Sequence, residues 1–187
     1  MKKKIVSLIK ESIEVKNKLL ENQVSEIEKL AKAMLKTIKS GHKILLFGNG
    51  GSATDSMHIA AELVGRFRKE RKALPAIALT ANVSILTALG NDYSFEYIFE
   101  RQVEALGNKG DMAIGISTSG SSKNVVAGIL KASEMGLKTA VLTGNKIGEL
   151  SKISDLCIRV PSLNTPRIQE AHITIGHIVC ELIEDAF

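Results

Sequence analysis

The chain has 187 residues, is 44% hydrophobic and 24% charged, and carries a formal net charge of +5. Those values bound it to one well-cored domain with an appendage, and exclude both two full α/β domains and a disordered chain. With two Tyr, five Phe and no Trp, and no aromatics set into a basic run, it offers no stacking platform for nucleic acid.

The first residues, Met1-Lys2-Lys3-Lys4-Ile5-Val6-Ser7-Leu8-Ile9-Lys10, begin like a signal peptide, but the apolar core stops short of the ~7 residues such a core needs. No run approaches the ~18 apolar residues of a membrane span. Cys157 and Cys180 lack metal-type spacing and read as buried thiols. A cytoplasmic protein with no membrane or nucleic-acid partner is expected. Residues 1–40 contain no Gly or Pro and place Val6, Ile13, Leu20, Ile27 and Met34 at seven-residue spacing, with Ile9 and Leu30 on the neighbouring seam. This predicts a long helix, or two broken near Asn22-Gln23, whose stripe packs either on the chain's own domain or, as an oligomerisation arm, in a helical bundle with partner subunits, ahead of a domain over 41–187.

From residue 43 short apolar strands alternate with helical segments. Strands are predicted at 43–47, 76–79, 111–116, 138–142 and 155–160. Helices are predicted at 53–66, 82–89, 95–106, 122–135, 146–152 and 166–185. Continuous apolar strands joined by helical crossovers imply a parallel sheet covered on both faces. Sequential right-handed winding then gives a five-stranded three-layer α/β/α sandwich of flavodoxin-like order. Ligands of such sheets bind beyond the strands' carboxyl ends, where strand order reverses, so the loops after the first and third strands are the places to look.

The first loop, Gly48-Asn49-Gly50-Gly51-Ser52-Ala53, matches a permissive dinucleotide fingerprint. The second strand, however, runs into Thr80-Ala81-Asn82 with no acidic residue for a ribose, which argues against a hydride-transfer enzyme. On the helix after this loop, Asp55, His58, Glu62 and Arg66 share one direction, with Met57, Ala60, Ala61, Leu63 and Val64 on the other side. His58 and Glu62, four residues apart, form either a surface hydrogen-bonded pair or two ligands of a divalent metal. The third-strand loop, Ser117-Thr118-Ser119-Gly120-Ser121-Ser122, has five hydroxyls before a helix N-terminus. That exceeds what helix capping needs and suits a phosphate. On the last helix, His172 falls among Ile168, Ile175, Val179 and Ile183 and reads as a core or interface histidine. His177 falls with Glu170, Thr174, Glu181 and Glu184, a face that periodicity alone calls solvated.

Together these motifs resemble the sugar isomerase (SIS) domain family. The resemblance covers nearly the whole chain and rests on Gly48–Ser52 with Asp55, His58 and Glu62; on Gly90-Asn91-Asp92; on Gly115–Gly120 with Ser122; and on Arg167-Ile168-Gln169-Glu170 with His177. It implies a ketose–aldose isomerase that converts D-sedoheptulose 7-phosphate to D-glycero-D-manno-heptose 7-phosphate through an enediol, an early step towards bacterial surface polysaccharide. It implies Glu62 as general base and His177 as general acid. Asn49, Gly50, Gly51, Ser52, Glu62, Asn91, Asp92, Ser117, Thr118, Ser119, Ser122 and Gln169 would hold the sugar phosphate. It further implies zinc at His58, Glu62, Gln169 and His177, and a homotetramer. Gln169 and His177 are eight residues apart, about 12 Å along a helix, so their meeting at one ion needs long reach or two subunits. Two alternatives are a non-catalytic SIS adaptor, which would not need His58, Glu62 and His177, and an isomerase of another phosphosugar.

Overall fold

The break expected near Asn22 falls at Gln23. In the computed structural model, which describes residues 1–187, α1 spans Lys2–Asn22 and α2 spans Val24–Lys39. Gly41 then takes the left-handed conformation, φ 83°, and turns the chain into the sheet. The strands are β1 (Ile44–Gly48), β2 (Ala76–Ala78), β3 (Met112–Ser117), β4 (Lys138–Thr143) and β5 (Leu156–Arg159). All pair in parallel, in the order β2-β1-β3-β4-β5. This is the flavodoxin-like order expected, with strand boundaries within one residue of those predicted.

Period-two alternation explains how a continuous apolar strand serves two layers. Ile44 and Leu46 of β1 point into a core formed with α2, α3 (Gly51–Val64) and α8 (Thr165–Glu184). Leu45 and Phe47 point the other way, onto α5 (Glu100–Leu106), α6 (Lys123–Glu134) and α7 (Leu150–Ile153). Ile27, Leu30, Met34 and Ile38 build α2 into the first core, and Val15 and Leu19 add the end of α1. The stripe nearer the N-terminus, Val6, Ile9 and Ile13, is exposed, as is Leu20.

Two helices differ from those predicted. The one predicted at 82–89 runs on through Gly90-Asn91-Asp92, its last turn, as α4 (Val83–Asp92). The Asn82 side chain caps this helix by accepting from the Ile85 N–H at 3.1 Å, and that start outweighs the roughly 1 kcal/mol penalty of an internal glycine. The helix predicted over 95–106 is a single 3-10 turn, Phe95–Tyr97, followed by α5. On α3, Ser52, Ser56, Ile59, Ala60 and Leu63 are buried, while Met57, Ala61 and Val64, also set opposite His58 and Glu62, are exposed.

His172 is fully buried, its Nε2 3.2 Å from the Thr143 carbonyl and its Nδ1 without a partner. Burial pulls its pKa down to about 4. The folded value therefore lies below the unfolded one, near 6.5, and the unfolded chain takes up the proton first. Stability is expected to fall by up to about 3 kcal/mol as pH drops from 6.5 towards 4. Denaturant titrations of the wild type and His172→Gln should diverge across that window. Parallel curves would refute this.

Candidate active site

The switch point lies between β1 and β3, and the two loops leaving those strands meet there. Gly50 adopts φ 55°, a conformation that side chains other than glycine strain to reach, and so starts α3 directly beyond the strand. A Cβ on Gly51 would lie 2.5 Å from Gln169 Nε2, so α8 packs tightly on this loop through Gln169. Asn49 and Asn124 exchange two side-chain hydrogen bonds, of 2.8 and 2.9 Å. Asn124 is buried in the first turn of α6, so this amide pair fixes the glycine loop against the serine loop.

In the serine loop, Ser122 occupies the N-cap of α6 but makes no capping bond. Its Oγ lies 2.9 Å from Ser117 Oγ, which also approaches Ser119 Oγ at 3.3 Å. The capping alternative therefore fails on geometry. The hydroxyls converge on one another, and the first-turn N–H groups of α6 are left for an anion.

The second cluster forms between two helices. α3 and α8 run side by side in the same direction, closest where a Cβ on Gly176 would sit 2.8 Å from Ile59. This offset brings His177 beside His58: their Nε2 atoms are 3.4 Å apart and the rings meet edge-on at 73°. His58 Nε2 is 3.0 Å from Glu62 Oε1. The three ligand atoms of His58, Glu62 and His177 lie within 4.8 Å of one another. If the His58 N–H serves Glu62, no lone pair remains there for His177. Three lone pairs converging on a cation satisfy all three groups, and two imidazoles with a carboxylate are a donor set of catalytic zinc centres. Asp55 adds to the negative field. It is half-buried with Oδ2 unpartnered, and burial raises its pKa to about 6 against the lowering pull of His58.

The two clusters do not coincide within one chain. Glu62 lies eleven residues beyond Gly51 on α3, about 16 Å along the axis. That exceeds the length of a fully extended heptose phosphate. Gln169 sits at the loop end against Gly51, not with His58, Glu62 and His177. Asn91 and Asp92 are exposed at the end of α4 and bonded to each other at 2.8 Å, and Ser94, two residues on, lines a pocket with Asn49 and Ser122.

Sequence reasoning missed the residues that frame the cluster. Phe67 stacks on His177, with centroids 5.6 Å apart and planes inclined by 31°. Glu184, expected on a solvated face, is buried and accepts backbone N–H groups from Phe67, Arg68 and Lys69.

A doubly wound domain with a hydroxyl-rich anion loop at its switch point, and a histidine–carboxylate cluster of metal type, defines a protein that handles phosphorylated small molecules. The comparisons narrow that class. The SIS domain model matches residues 8–144. The phosphoheptose isomerase of Aquifex aeolicus is 55% identical over 185 residues, covering 99% of this chain and 97% of its relative. The phosphoheptose isomerase structures from Francisella tularensis and Neisseria gonorrhoeae superpose with TM-scores of 0.95 and 0.94 at 39% identity. Each alignment covers 98% of this chain, and 97% and 98% of the respective relative. The chain belongs to the SIS domain family, in its phosphoheptose isomerase branch.

Proposed function

We propose that the chain interconverts D-sedoheptulose 7-phosphate and D-glycero-D-manno-heptose 7-phosphate, and so supplies heptose for surface polysaccharide. The observation that carries this is the convergence of His58, Glu62 and His177 from two helices. An adaptor that only bound the sugar phosphate would have no use for it. In the isomerisation one C1–H proton of the ketose leaves, an enediol forms, and a proton returns to C2 while the hydroxyl protons redistribute between O1 and O2. Glu62 takes the carbon-bound proton: Oε1 faces His58, which leaves Oε2 for the substrate. His177 serves the substrate oxygens. The serine loop, the α6 N-terminus, Asn49–Ser52 and Gln169 hold the phosphate and the distal hydroxyls, which orients the reacting end. Asn91 and Asp92 complete the sugar contacts.

His58, Glu62 and His177 would hold zinc, with the fourth position open or filled by Gln169 of a second copy. When bound, the ion supplies polarisation of the substrate carbonyl. The separation of the two clusters supports a site built from two chains, the loops of one facing the His58/Glu62/His177 cluster of another. The exposed stripe on α1 and the exposed Val83 and Ile85 on α4 support the same assembly, a homotetramer. The test is a panel of phosphosugars in deuterated water. Deuterium should enter the aldose at C2 only with the seven-carbon substrate. Tight binding without isomer formation, with or without zinc, would refute the proposal.

A further inference from the structure

Arg71 and Glu184 are both buried, with side chains 4% and 2% exposed, and Arg71 Nε lies 3.2 Å from Glu184 Oε1. Burying two charges is tolerable where hydrogen bonds replace the lost water, and here backbone at both ends of one loop supplies them to the carboxylate and to both terminal nitrogens of the guanidinium, while Arg71 Nε makes only the ion-pair approach. The Glu184 carboxylate accepts three consecutive amide N–H groups, from Phe67, Arg68 and Lys69, at 3.0, 2.7 and 2.9 Å. The Arg71 guanidinium donates to the carbonyls of Glu62 at 2.7 Å and Leu63 at 2.9 Å, the last turn of α3, and to those of Gly65 and Lys72. The pair thus ties the end of the helix bearing His58 and Glu62 to the end of the helix bearing His177. The loop between them, 65–73, is strapped down, and the residue it carries inward is Phe67, on the face of the His177 ring. Two further pairs, Arg68–Glu181 and Lys69–Asp185, lie along the outer edge of the strap and are largely exposed.

We infer that the strap over 65–73 is a wall of the metal centre, and that Glu184 and Arg71 are positioning residues. They hold Phe67 against His177 and fix the Glu62 backbone, so that the three ligands are already gathered before an ion or substrate arrives. This rests on the metal-centred reading above. Glu184→Gln keeps the volume but removes the charge and turns an NH2 group towards three amide donors, which releases the strap. Phe67→Ala removes the wall and leaves the strap in place.

The experiment measures zinc affinity of the purified full chain by chelator competition, and the histidine side-chain resonances of the metal-free protein by NMR. Both variants are expected to shift the His177 resonances and to weaken zinc by about 10–100-fold, the usual cost of losing an outer-shell partner of a metal ligand. The double variant should be no weaker than the weaker single, because both changes act through one contact. Arg68→Ala and Lys69→Ala, which remove only exposed pairs, should leave zinc affinity near wild type. An earlier thermal transition of Glu184→Gln, with unshifted His177 resonances and zinc affinity within about threefold of wild type, would overturn the inference. So would losses that multiply in full in the double variant. If Glu184→Gln fails to fold, Phe67→Ala with Phe67→Tyr as rescue decides the case. If the wild type itself takes up no zinc, the metal reading fails, and the strap stands or falls on the resonances.

Discussion

Glu62→Gln is expected to lower kcat for heptose phosphate isomerisation by about 10²–10⁴-fold, the range that a positioned general base contributes. Equilibrium binding of the phosphosugar should change little. The substitution keeps the side chain's shape and leaves an amide oxygen able to face His58, as Glu62 Oε1 does at 3.0 Å. What it removes is the basic oxygen that takes a carbon-bound proton. The phosphate contacts proposed above lie elsewhere, in the serine loop and the first turn of α6. The loss should therefore appear in kcat, with KM nearly unchanged, the signature of an interaction made in the transition state alone. Deuterium uptake from solvent should fall in parallel. Zinc content measured on the same samples separates loss of the base from loss of the ion. A variant with full zinc and kcat within tenfold of wild type would remove Glu62 from the base role.

The layers of the fold could be read from the chain because each local signal agreed with its neighbours. Uninterrupted apolar strands such as Ile44–Phe47 require cover on both faces, and helices of the right length followed each one. The glycine and serine loops were legible for the same reason: their chemistry is local. His58 and Glu62 were visible as an i, i+4 pair. His177 could not be joined to them by periodicity. A helical wheel describes one helix against an unspecified environment, whereas the partner of His177 depends on the offset between α3 and α8, set by the close approach at Gly176 and Ile59. Glu184 was hidden for a related reason. A carboxylate is assigned to solvent by default, and only the return of the chain over 65–73 supplies the three amides and the guanidinium that make its burial tolerable. The apolar residues of α3 divide between core and surface: Ala60 and Leu63 are buried, and Met57, Ala61 and Val64 are exposed. Apolar residues on an exposed face register an interface as readily as a core.

Mixing two inactive variants is expected to restore activity. Glu62 lies about 16 Å along α3 from the glycine loop of its own chain, and the serine loop is fixed beside that glycine loop by the Asn49–Asn124 pair, which supports the proposal that the two ends of one site belong to different copies. Take one variant with Glu62→Gln and a second with Ser117→Ala and Ser122→Ala, which strips the phosphate loop of the two hydroxyls bonded at 2.9 Å. Each alone should be nearly inactive, the first through kcat and the second through KM. In a mixed assembly, some sites receive an intact loop from the Glu62→Gln chain and an intact Glu62 from the loop variant. Co-expression with two affinity tags isolates these hybrids. Random pairing makes about one site in four fully wild type, so the hybrids should show activity many times that of either parent, with a KM close to that of the native protein. A site complete within one chain predicts the opposite: every site in the hybrid carries one defect, and no activity returns. The same geometry predicts that Ile9→Lys with Ile13→Lys, which charges the exposed stripe of α1, dissociates the assembly and abolishes turnover. Each separated chain would still hold its gathered His58, Glu62 and His177, and would bind zinc without turning over sugar.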